Sequence, residues 1–205
     1  MRLWATSRGT TTTKMAATST EPIPDASSVS ALHDGGPDWE EREKGSFDSR
    51  RGSNVWYRRW CPKSKAVAIL MIAHGLHSHG GRWAKVAHHY TEKGYLVYAN
   101  DHIGHGLTAQ GPNGGAIGMV DDHTKMTDDF TEFVEKMVDK EEDKTLPVFI
   151  LGHSMGSLVG TVSAEKCVQH PTIGPRFKKL VLSGCPFFPR ALPFSTPSGS
   201  GSYTR

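Results

Sequence analysis

Cysteine is scarce in this chain: Cys61, Cys167 and Cys185 are the only three in 205 residues. An odd number without metal-ligand spacing argues against a disulfide framework and favours a reducing compartment. Long apolar runs are missing too. The longest, Ala66 to Ala73, falls far short of the roughly 20 residues a membrane-spanning helix needs, so it reads as a core strand and leaves at most peripheral membrane contact. Charge of one sign is equally thin. A net charge of +3 with scattered Lys and Arg gives no basic footprint, which excludes a nucleic-acid-binding surface. Arg58-Arg59 and Lys178-Lys179 are read as solvated strand or loop edges.

Acidic residues are absent before Glu21, whereas residues 1–20 carry Arg2, Arg8, Lys14, seven threonines and two serines. This composition fits an organelle transit peptide and a plain disordered leader equally well. Periodicity is lacking at both ends. Residues 1–45 are therefore expected to be a leader that cannot bury enough apolar surface to order itself, and residues 187–205 a Pro/Ser/Gly-rich tail. Without the leader's targeting reading, a cytoplasmic or membrane-surface location is expected. No internal repeat is visible.

What is there, over residues 46–186, is regular. An antiparallel hairpin is expected over Phe47–Trp60 about a turn at Arg51-Gly52. Strands then alternate with helices: strand Val67–Ala73, helix Trp83–Tyr90, strand Tyr95–Asn100, helix Thr124–Glu141, strand Val148–Leu151, helix Ser157–Gln169, strand Leu180–Ser183. That alternation predicts an α/β fold with a mostly parallel sheet covered on both faces. In the Thr124–Glu141 helix, Met126, Phe130, Phe133, Val134 and Met137 form a core stripe, with Asp128, Asp129, Glu132, Glu135 and Lys136 facing away.

Gly152-His153-Ser154-Met155-Gly156 sits directly between a buried strand and a helix. A Gly-x-Ser-x-Gly turn in that position holds its serine in a strained conformation and lifts the hydroxyl above the sheet edge, where it can act as a nucleophile. Open α/β sheets gather reactive groups at the carboxyl ends of their strands. The strand ending at Ala73 runs into His74-Gly75-Leu76, a glycine-rich turn able to aim backbone N–H groups at a developing oxyanion, with Leu76 and Met155 as the candidate donors. The next strand ends in Asp101-His102-Ile103-Gly104-His105-Gly106-Leu107-Thr108.

The last segment is similar to the Asp-x-x-Gly-His-Gly-x-Ser signature of monoacylglycerol lipases and the related serine-aminopeptidase-like hydrolases, with Thr108 at the usual serine. His74-Gly75 and Gly152-His153-Ser154-Met155-Gly156 match the same family, and the resemblance covers about residues 47–186. It implies an α/β-hydrolase fold, Ser154 as the catalytic nucleophile, an oxyanion hole from the Leu76 and Met155 amides, lipid esters as substrates, and no cofactor. Gly152, His153, Gly156, His74, Gly75, Asp101 and His105 are then elbow and loop supports, Asp101 and His105 being loop-stabilising residues and not the triad acid and base. The many histidines also admit a metal site, but none has supporting carboxylate or cysteine spacing, so no metal is expected.

A serine nucleophile needs a histidine and an acid, which in this fold follow it in the chain. After Ser154 only Glu165 and His170 are candidates, and at about 1.5 Å per residue the helix carries them roughly 16 and 24 Å away. His77, His79, His102 and His105 are upstream alternatives for the base. Family members continue about a hundred residues past Gly184, adding a cap and two strands that carry the triad acid and histidine. The chain is accordingly expected to be a C-terminally truncated, amino-terminal half of such a hydrolase with impaired activity. Two other readings stay open: a non-catalytic fragment or pseudo-hydrolase that binds a partner, and an acyltransferase or peptidase on the same scaffold. Oligomeric state is not legible.

Overall fold

The computed structural model describes residues 43–186, and its centre is a six-stranded sheet in the order β1-β2-β4-β3-β5-β6. The strands are β1 (Glu43–Asp48), β2 (Asn54–Trp60), β3 (Ala68–Ala73), β4 (Tyr95–Asn100), β5 (Val148–His153) and β6 (Phe177–Ser183). β1 pairs antiparallel with β2, and β2 antiparallel with β4. The β3–β4, β3–β5 and β5–β6 pairs are all parallel. This is the mostly parallel sheet with an antiparallel amino-terminal pair that the alternation predicts. β1 begins at Glu43, so the expected leader ends earlier than residue 45; the rest of it, and the tail over 187–205, lie outside the described residues.

Parallel strands need crossovers, and three helices supply them: α1 (Ala84–Thr91), α2 (His123–Lys140) and α3 (Met155–Gln169). All six residues of β3 are buried, as expected for a strand covered on both faces. Ile69, Met71, Tyr98 and Ile150 pack on one side with Phe130, Phe133 and Met137 of α2 and Val159 and Cys167 of α3. Leu70, Ile72, Val97 and Ala99 face the other way, onto Ala87 and the flanking Trp83 and Tyr90. The apolar stripe read along α2 is thus the main core contact.

Three expectations need correction. Asp129 and Glu132 do not face away: they are 1% and 4% exposed, because the β1–β2 turn lies over that side of α2 and the Arg50 amide donates to Glu132 at 2.8 Å. Arg58 is not a solvated strand edge; it is 6% exposed and paired with Asp101. α3 starts at Met155 and not Ser157, so the helix begins immediately after Ser154. Here tertiary contacts override patterns read from one segment at a time.

Candidate active site

Ser154 stands at the corner between β5 and α3, with φ 51° and ψ −122°, a region L-residues rarely enter. The corner is fastened on every side. Ser154 N–H donates to Ser183 O at 2.8 Å, Ser157 N–H donates to Ser154 O at 2.8 Å, and the Ser157 hydroxyl donates to Gly152 O at 2.9 Å. Both glycines are obligatory for a steric reason. A Cβ on Gly152 would lie 2.4 Å from Gly156 O, and one on Gly156 would lie 2.1 Å from Ala73 O. The helix therefore approaches the β3–β5 pair more closely than any side chain would permit.

Sheet register brings the second strand end alongside. β3 and β5 are adjacent and parallel, with Ala73 opposite Gly152, so the residues leaving β3 stand next to the corner. A Cβ on Gly75 would sit 3.1 Å from the Ser154 Cβ. Chain order reverses at this place, since β4 lies on one side of β3 and β5 on the other, which is where open α/β sheets form their ligand crevice. Among the described residues, neither Leu76 N–H nor Met155 N–H has a hydrogen-bond acceptor.

Asp101, at the end of β4, is completely buried, and its carboxylate is fully used. Oδ1 accepts from Arg58 Nη1 and from Gly80 N–H, each at 2.7 Å, and Oδ2 accepts from Leu107 N–H at 2.8 Å. Thr108 closes the same loop, its hydroxyl donating to Asp101 O at 2.7 Å while accepting from Trp56 N–H at 2.9 Å. Arg58 and Thr108 as partners of Asp101 were not legible in the sequence, because an arginine in a strand carries no sign of the neighbouring strand's end. The hydroxyl at position 108 does, however, explain the Ser-or-Thr position of the motif.

Beneath the loops lie three buried histidines. The His74 ring is 4.2 Å from that of His102 and 5.3 Å from that of His105, and His102 in turn meets Phe130 edge-on at 5.7 Å. Burial is the main reason His74 titrates only at about 4, reinforced by His105 and opposed by the bond to Gly75 O. Burial also holds His102 well below the ordinary histidine value. Among the described residues no group of three or more His, Cys, Asp or Glu is arranged to hold a metal ion.

His153 is exposed, edge-on to Trp83 at 5.7 Å and 3.3 Å from the Ser183 hydroxyl. His105 Nδ1 lies 2.9 Å from Ile103 O, and its Nε2 is buried without a hydrogen-bond partner among the described residues. Glu165 lies exposed on α3, and His170 follows its end, turned onto the Thr172 hydroxyl at 3.1 Å. No described side chain hydrogen-bonds the Ser154 hydroxyl. A cavity lined by Arg59, Lys65, Lys140 and Glu141 together with the apolar Ala66 and Leu146 opens by the amino ends of β3 and β5, at the opposite end of these strands from Ser154.

Residues 64–198 match the family model described as serine aminopeptidase, S33. The chain is 35% identical over 143 residues to a monoacylglycerol lipase of Mycolicibacterium smegmatis, an alignment covering 70% of this chain and 46% of that one. It is 31% identical over 119 residues to the human monoglyceride lipase, covering 58% and 37%. Among solved structures, a thermostable carboxyl esterase from Bacillus coagulans superposes with a TM-score of 0.55 at 31% identity, over 68% of this chain and 43% of that one. The chain thus spans less than half the length of these curated relatives.

Proposed function

The chain belongs to the serine aminopeptidase S33 family of α/β-hydrolases, and from that membership we propose that it is built for acyl transfer at Ser154, with carboxylic esters of lipids as the substrate class. One observation carries the reading. A non-glycine residue is held at positive φ between a core strand and a helix, with a second strand-end loop packed against its Cβ. In that arrangement Ser154 Oγ adds to the ester carbonyl carbon. The carbonyl oxygen becomes an oxyanion between Leu76 N–H and Met155 N–H, and the alcohol departs with a proton to leave an acyl-serine, which water then hydrolyses. His74, Gly75, Gly152, His153, Gly156, Asp101 and His105 shape the corner and its neighbouring loops. The lipid preference is supported by the monoacylglycerol lipase relatives.

No described side chain hydrogen-bonds the Ser154 hydroxyl, and of the upstream candidates His77, His79, His102 and His105, the Nδ1 of His102 meets Asn100 and that of His105 meets Ile103 O. This favours a second reading, a non-catalytic binding protein on the same scaffold. A fluorophosphonate probe decides between them. We expect slow labelling of the 205-residue chain that disappears in Ser154→Ala. Absence of labelling, or labelling that persists in the variant, overturns the hydrolase reading for this chain.

A further inference from the structure

We propose that His74 is a positioning residue: a clasp locked in one tautomer that turns the Leu76 N–H toward the space above Ser154. The proposal rests on the assignment of that amide as an oxyanion donor made above. His74 Nδ1 lies 2.8 Å from Gly75 O, and His74 Nε2 lies 3.0 Å from His102 N. A carbonyl oxygen can only accept and a backbone amide can only donate. Nδ1 must therefore carry the proton and Nε2 must be bare, so both ring nitrogens are committed and the tautomer is fixed.

The consequence runs through one peptide plane. Gly75 C=O and Leu76 N–H belong to the same peptide group, and the described chain contains no cis peptide bond, so the two point in opposite directions. Holding Gly75 O against the buried ring turns the Leu76 N–H away from the core. Gly75 itself is the residue pressed on Ser154, and Leu76 is exposed, so that direction leads to the mouth of the site. The Nε2 bond ties the ring to the loop that starts at Asp101. One neutral imidazole thus couples the loops after β3 and β4.

Protonation would undo the clasp, because a hydrogen on Nε2 would face the His102 N–H. The structure resists this. His74 is completely buried, and the groups facing it are His102, His105, His79 and Asp101. Burial, with His105 and His79, disfavours a positive charge on the ring, and this outweighs the bond to Gly75 O and the Asp101 carboxylate, already engaged by Arg58, which favour it.

The test uses the full 205-residue chain, ¹⁵N-labelled. Two-bond ¹H–¹⁵N spectra should show His74 protonated at Nδ1, bare at Nε2, and not titrating from neutral pH down to about pH 5. The opposite tautomer, or a midpoint near the ordinary histidine value, overturns the proposal without any variant. His74→Asn keeps a donor close to the Nδ1 position, and His74→Gln keeps an acceptor close to Nε2. The Leu76 amide resonance should stay near its wild-type position in H74N and move in H74Q. Ser154 labelling should fall about tenfold or more in H74Q and clearly less in H74N. Equal effects in both variants would reduce His74 to packing and sink the idea. If wild type is not labelled at all, the hydrolase reading fails, and the tautomer and Leu76 resonance alone judge the clasp.

Discussion

At the scale of single residues, the corner at Ser154 tolerates almost nothing. Gly156→Ala places a methyl group 2.1 Å from Ala73 O, and backbone on both sides leaves no flexible neighbour to give way. The helix must therefore back off from β3. The expected outcome is a lower unfolding midpoint together with loss of fluorophosphonate labelling, read by calorimetry and gel fluorescence on one sample. Asp101 is equally constrained for an electrostatic reason. Asp101→Asn removes the negative charge facing the buried Arg58, and breaking a buried ion pair from one side costs about 3–5 kcal/mol. Denaturant unfolding should show a loss of that order, and a loss under about 1 kcal/mol would contradict the buried pairing. Glycine spacing and the Asp-x-x-Gly-His-Gly run could be read from the chain; the arginine that answers Asp101 could not.

Among the elements, α2 shows both what a periodic pattern reveals and where it stops. Its apolar stripe follows from spacing alone, and Phe130 and Phe133 are fully buried. Phe133→Ala should cost about 3–5 kcal/mol, checked by urea unfolding. The start of the helix is set by Asp122, whose Oδ1 accepts from Thr124 N–H and Lys125 N–H, each at 2.9 Å. Those bonds, with the Thr124 hydroxyl contributing most, hold its pKa down to about 2. A carboxyl lowered in the folded state stabilises fully above its unfolded value near 4 and loses that contribution as pH falls toward 2. Asp122→Ala should therefore lower the unfolding midpoint at pH 7 and differ little from wild type near pH 2. The polar side of α2 is where single-segment reading failed. Charge at Asp129 and Glu132 looked solvated because nothing local announces that the turn between β1 and β2 will fold across it.

For the whole molecule, acid is the informative variable. His74 and His102 stay neutral when folded but take up protons near 6.5 when unfolded. The unfolded state binds more protons below that value, so stability falls as pH drops from about 6.5 toward about 4. Thermal melts should show this decline, and a midpoint unchanged between pH 7 and 5 would contradict the buried neutral cluster. Cys167 offers an independent gauge of global opening, since burial pushes its thiol up to about 12. Alkylation at neutral pH should reach Cys167 only as the chain unfolds. By itself the sequence determined the alternation of strands and helices, the buried β3, and a serine corner flanked by glycines, because periodicity and close backbone approach are properties of neighbouring residues. Only the tertiary structure decided that Gly75 rests on Ser154, that Arg58 answers Asp101, and that His74 bridges two loops. Those contacts join strand ends that register and crossover direction bring together from distant parts of the chain, and no local pattern encodes them.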